Sequence, residues 1–204
     1  MAVVYQQIAQ GKLHLSDMLT KNSLDLYNEF FIDVGDQDTL QTISMTVSDA
    51  LYQMITISDN DAALLLTDKV GLSNLKDFLN QYGFTDSSIG QNGNQPTTTA
   101  KDTASFLEKT YKGALGNTDT TNKMLTLLKQ QRLNDKIPKY LPDGVTVAHK
   151  TGELDDYSHD AGIVYGPNSD YIIVILTRSD DTQAAEERIA NVSQAVYKYF
   201  TPNQ

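Results

Sequence analysis

Five consecutive apolar residues, Ile172-Ile173-Val174-Ile175-Leu176, constrain the fold more than any other feature of the chain. A run this short and this rich in β-branched side chains fits a strand covered on both faces and flanked by neighbours, not an exposed sheet edge. The turn signal Gly166-Pro167-Asn168-Ser169 joins it to Ala161–Tyr165 as a hairpin, which supplies one neighbour. A second is required on its other side. The expected source is a set of strands N-terminal to these 204 residues, with self-association through the unsatisfied edge as an alternative.

Upstream of this hairpin, Val145 to Lys150 alternates as a further strand, and downstream Gln183 to Phe200 reads as a helix with Ile189, Val192, Val196 and Tyr199 on one face. Before Pro142 the period is helical. Residues 2–9 read as the last turns of a helix closed by Gly11, with no capping residue ahead of Ala2. Polar connections and a short helix are expected over 13–46. Ser48 and Asp49 then open a helix to about Ile57, which Ser58-Asp59-Asn60 interrupts. Further helices follow at 61–69, 73–82, 99–112 and 119–130. Thr99 with Asp102 three residues on forms a capping arrangement.

The order of these elements predicts one α/β (α+β) domain over 1–204: an antiparallel sheet flanked by helices, plus an all-α subdomain at 13–130. Residues 1–12 would join 131–204 in the α/β part.

Composition narrows the function classes. A formal net charge of −10 repels phosphate backbones and anionic lipid, so nucleic acid is an unsuitable partner. No apolar run is long enough to span a bilayer, and the first residues lack the pattern of a signal peptide. The absence of cysteine removes disulfides and thiolate chemistry. His14, His149 and His159 show no metal-ligand spacing and read as surface or loop histidines, so no metal is expected.

Two tripeptides carry chemistry: Ser58-Asp59-Asn60 at a break between helices, and Lys150-Thr151-Gly152 at a strand end. Either alone reads as an ordinary capping turn or strand terminus. In this order and these contexts, together with an earlier S-x-x-K, they are the signature of class A β-lactamases and penicillin-binding proteins. The segments Ile55–Leu66 and Val147–Leu154 also resemble that family, and the resemblance extends over nearly the whole chain.

The resemblance implies a β-lactamase/transpeptidase-like fold, an extracytoplasmic location, no cofactor, and a β-lactam or peptidoglycan stem peptide as ligand. It assigns Lys150 and Thr151 to the ligand's carboxylate, as point charge and hydroxyl donor. Gly152 would let the ligand backbone lie against the strand, and the Glu153 N–H would be an oxyanion donor. Ser58 is expected to relay a proton to the departing nitrogen, and Asn60 to orient the ligand's amide. Asp59 is better read as a brace of the loop.

Two family features are not found in their places. The S-x-x-K serine should precede Ser58, and residues 2–9 resemble the later turns of the helix that carries it. The S-x-x-K present, Ser73-Asn74-Leu75-Lys76, follows Asn60 and reads as a helix cap with Lys76 on a solvated face. The E-x-x-L-N loop that activates a deacylating water is replaced by Ile89-Gly90-Gln91-Asn92-Gly93-Asn94-Gln95-Pro96, and Glu108 is the one glutamate between Asp61 and His149. Three readings stand: the larger part of an acyl-transfer enzyme without its nucleophile, a slowly deacylating penicillin-binding type, or a non-catalytic recognition module.

Overall fold

The computed structural model describes residues 1–32, 41–90 and 94–202. By its internal contacts the chain forms two units, Met1–Thr98 and Thr99–Gln204.

The first unit contains α1 (Ala2–Ala9), β1 (Met18–Asn22), α2 (Ser23–Glu29), β2 (Thr42–Thr46), α3 (Val47–Thr56), α4 (Asn60–Val70) and α5 (Leu72–Tyr82). Its interior follows from spacing. Ala62, Leu65, Leu66 and Val70 fall on one stripe of α4 and are buried, as are Val47, Ala50, Leu51 and Ile55 of α3. Val3, Val4 and Tyr5 of α1 join them.

Three sequence expectations change here. The stretch 13–130 is not all-helical, because β1 and β2 pair antiparallel with Met18 opposite Thr46 and Asn22 opposite Thr42. A connection containing a helix joins these five-residue strands, so no hairpin turn announces them. Helix α3 begins one residue before Ser48, and its cap is Thr46, whose hydroxyl accepts from Asp49 N–H at 3.0 Å. Ser73 is no cap either: Gly71 holds that place at φ +80°, and Ser73 and Lys76 are both exposed on α5.

The second unit contains α6 (Ala100–Tyr111), α7 (Thr118–Lys129), β3 (Thr146–Leu154), β4 (Tyr157–Tyr165), β5 (Asp170–Arg178) and α8 (Thr182–Phe200). Thr99 caps α6 by accepting from Asp102 N–H, as its sequence predicts. The two helices α6 and α7 belong to the sheet's unit, so the expected boundary near residue 130 falls instead at 98/99. The sheet is antiparallel with β4 in the middle, Lys150 opposite Ala161 and Ala161 opposite Val174.

One face of the sheet packs on α8 through Ile137, Val147, Val164, Tyr171, Ile173, Ile189 and Tyr197. Residues 172 and 174–176 of the apolar run are partly rather than fully covered. Among the described residues β5 pairs with β4 alone.

The buried stripe of α8 is Ala185, Ile189, Ser193 and Tyr197, with Ala190 beside it. The stripe expected from apolar residues was displaced: Val192 is 48% exposed and Tyr199 79%. Small residues win the inward positions because they let the helix approach closely, and the buried Ser193 hydroxyl donates to the Ile137 carbonyl at 2.8 Å. Ile189→Ala therefore lowers stability by about 3 kcal/mol, whereas Val192→Ala stays within about 0.5 kcal/mol of the parent. Urea unfolding of both variants checks this: the midpoint falls for the first and holds for the second.

Candidate functional site

In the first unit, α3 ends at Thr56 and α4 starts at Asn60, and the reversal between them is made at Ser58. Ser58 has φ +59°, a left-handed conformation that costs a non-glycine residue about 1–2 kcal/mol. Its neighbours hold it there. Asp59 N–H donates to the Gln53 carbonyl at 3.2 Å, and the Asp59 carboxylate accepts from Ala62 N–H at 2.8 Å, which caps α4. Asp59 is thus the brace that its sequence context implied. Asn60 is the first residue of α4, and Asp61 accepts a short hydrogen bond from the Tyr27 hydroxyl. That bond, more than burial, pushes the Tyr27 phenol up to about 12.

In the second unit, β3 brings Lys150, Thr151, Gly152 and Glu153 together at its C-terminal end. The Lys150 ammonium donates to the Thr151 carbonyl at 2.8 Å. Burial pushes its pKa down to about 8 against the opposing pull of Asp160 and Glu153, with Lys136 adding to the depression. Gly152 has no positive φ, and a Cβ there would meet only His159 at 3.7 Å, an ordinary contact. Neither backbone nor packing demands glycine at this position. Gly162 differs, since a Cβ would come 2.6 Å from that of His149.

Behind this strand end lies a buried polar network that the sequence did not reveal. His149 is 1% exposed, not a surface or loop histidine. Its Nδ1 lies 3.0 Å from Asp160 Oδ1 and its Nε2 3.1 Å from Asn134 Oδ1. Asp160, opposite Thr151 in the ladder, also accepts from Ile137 N–H at 3.0 Å. Lys136, 2% exposed, forms an ion pair with Glu153 and stands 3.7 Å from Glu186. A lysine in an aperiodic Asn134-Asp135-Lys136-Ile137-Pro138 segment gives no sign of burial, which is rare for its type. The Asp160 contact could be reached only by pairing β3 with β4 in register.

Of the other histidines, His14 is exposed, and His159 accepts from Thr177 N–H at 3.0 Å. Among the described residues no three His, Cys, Asp or Glu side chains are grouped to hold a metal ion, and no helix is long and apolar enough to cross a membrane. Gln91–Gly93, within the loop that replaces E-x-x-L-N, lie outside the described residues. Their flanks are joined by the Ser88–Thr97 bridge. Glu108 is on α6, paired with Lys112 at 2.5 Å.

The profile of the beta-lactamase enzyme family matches residues 1–200. The chain belongs to this family. Its structure is similar to that of PBP-A, with a TM-score of 0.84 and 25% identity, covering 98% of this chain and 77% of that one. A mutant of PBP-A, solved as an acyl-enzyme complex with penicillin G, matches equally well. A beta-lactamase from Sphaerobacter thermophilus gives a TM-score of 0.84 at 23% identity over 97% of this chain and 78% of its own. In sequence, the extended-spectrum beta-lactamase PER-1 of Pseudomonas aeruginosa is 24% identical over 218 residues, 97% of this chain and 71% of that protein. The mixed fold of helices and antiparallel sheet expected from the sequence is the fold of these relatives.

The depressed pKa of Lys150 has a signed consequence for stability. Between about 8 and the ordinary lysine value near 10.4, the unfolded chain binds more protons than the folded one. Burying the ammonium therefore costs most below pH 8, and the cost fades as pH rises through that window. Lys150→Met is expected to stabilise the fold most at pH 7 and progressively less by pH 10, measured as the difference in urea midpoint from the parent.

Proposed function

We propose that this chain is a penicillin-recognising domain of the beta-lactamase family, whose β3 terminus grips the carboxylate and amide of a β-lactam or of an acyl-D-Ala-D-Ala peptide. The observation that carries this reading is the desolvated Lys150 ammonium beside Thr151 and a glycine that the fold itself does not require. A partly buried cation binds an anion more strongly than a solvated one, because less water competes. Lys150 supplies the charge and Thr151 the hydroxyl for the ligand carboxylate, while Gly152 leaves room for its backbone. The Glu153 N–H serves as an oxyanion donor. By the family resemblance, Ser58 is assigned the proton relay to the leaving nitrogen and Asn60 the ligand's side-chain amide.

In the family's chemistry a serine activated by lysine takes the acyl group. The S-x-x-K formed by Ser73 and Lys76 is exposed on α5 and does not fit that serine's role. The exposed Glu108–Lys112 pair leaves deacylation without a glutamate in the segment between Asp61 and His149. A peptidoglycan stem as natural ligand implies an extracytoplasmic site of action. Self-association through the outer edge of β5 is a separate proposal, and a concentration-independent monomer on size exclusion would remove it.

A fluorescent penicillin tests the reading. It is expected to bind reversibly, to lose about tenfold or more in affinity in Lys150→Ala, and to leave no label after denaturation. Affinity is also expected to fall as pH rises from 7 to 9, while Lys150 loses its charge. A label that survives denaturation would establish acylation by this chain instead, and equal binding by Lys150→Ala would remove the carboxylate site.

A further inference from the structure

The Asp160 carboxylate is wholly buried on the central strand, directly opposite Thr151 and one residue from Ala161, the ladder partner of Lys150. Hydrogen bonds fix it there: both oxygens lie within 3.1 Å of His149 Nδ1, and one accepts from Ile137 N–H at 3.0 Å. Water does not reach it, so its field crosses the strand with little screening. Of the charges acting on the Lys150 ammonium, Asp160 pulls most strongly toward the protonated form, Glu153 follows, and Lys136 pushes the other way. The other charges around the strand end are engaged elsewhere. The Glu153 carboxylate is 55% exposed and pairs with Lys136, and Glu186 of α8 stands 3.7 Å from that same ammonium. On α7, which packs on β3, Asp119 pairs with Lys123 and Lys129 sits over the Tyr165 ring. His159, opposite Gly152, accepts from Thr177 N–H.

On the reading that the β3 terminus grips a ligand carboxylate, we propose that Asp160 is a positioning residue for that grip, acting through Lys150: a buried anion behind the strand that keeps the ammonium charged for the ligand. Burial by itself drives a lysine toward its neutral form, which holds no anion. A carboxylate inside the sheet opposes this without taking the ligand's place, because strand alternation puts it on the face of the strand pair away from Lys150. A solvated glutamate in the same role would be screened by water and would meet the ligand as a like charge. The consequence is a pH window. Recognition of carboxylate ligands extends to near pH 8 with Asp160 in place and ends about one unit lower without it, since removing an anion makes the ammonium easier to deprotonate.

Asp160→Asn tests this, because the amide meets the same partners without the charge: its oxygen accepts from Ile137 N–H and its nitrogen donates to His149 Nδ1. Asp160→Ser is a second neutral variant. The full chain and both variants are titrated with benzylpenicillin by calorimetry from pH 6 to pH 10. The Lys150 amine is followed over the same range by NMR of protein labelled with carbon-13 lysine, its signal assigned through Lys150→Arg. In a neutral variant that folds, the midpoint of the amine and the midpoint of benzylpenicillin affinity should both fall by about one pH unit. Binding then becomes about fivefold weaker at pH 8 and no weaker at pH 6. Unchanged midpoints, or an affinity loss equal at pH 6 and pH 8, overturn this inference alone, as does failure of both neutral variants to fold. Absence of benzylpenicillin binding by the parent chain overturns the reading of the site together with it.

Discussion

The carboxylate of Asp160 carries the second unit's organisation. It is fully buried on the central strand, and it engages the His149 ring from β3 and the Ile137 N–H from the segment that follows α7. Burying a carboxylate is costly unless its lone pairs are taken up, and here they are. The consequence is geometric. One charged group links two strands and a loop, so Ile137 is held in the core under α8, with its carbonyl accepting from Ser193, and Lys136 is delivered to the end of β3. Gly162 is part of the same arrangement, because only a residue without a side chain lets β4 pass so close to His149.

Upon that foundation the strand end concentrates charge in a partly dehydrated setting. Lys150 lies on one face of β3, and Lys136 with Glu153 on the other, each close enough to influence the next. Burial pushes the Lys150 ammonium down to about 8, so it gives up its proton more readily than a surface lysine does.

The helix interruption in the first unit follows another economy. A strained φ at Ser58 is retained because Asp59 compensates for it twice, through its backbone N–H and through its side chain. Local hydrogen bonding thus keeps a hydroxyl-bearing residue at a sharp reversal where glycine would otherwise be favoured. Backbone strain of this kind gathers at functional sites.

Local rules were enough to read much of this protein. Helical spacing, the Thr99 cap and the Gly166–Ser169 turn were all legible, because each depends on residues within a few positions of one another. Features made by distant residues were not. The pairing of β1 with β2, the inward turn of Ser193 in place of Val192, the burial of Lys136 and the engagement of His149 by Asp160 all depend on partners that only chain folding brings near. The sequence by itself determined which elements form and which chemical groups are available. Tertiary structure decided which of those groups lose their water and which partners they meet when they do, because both depend on neighbours that only the folded chain assembles.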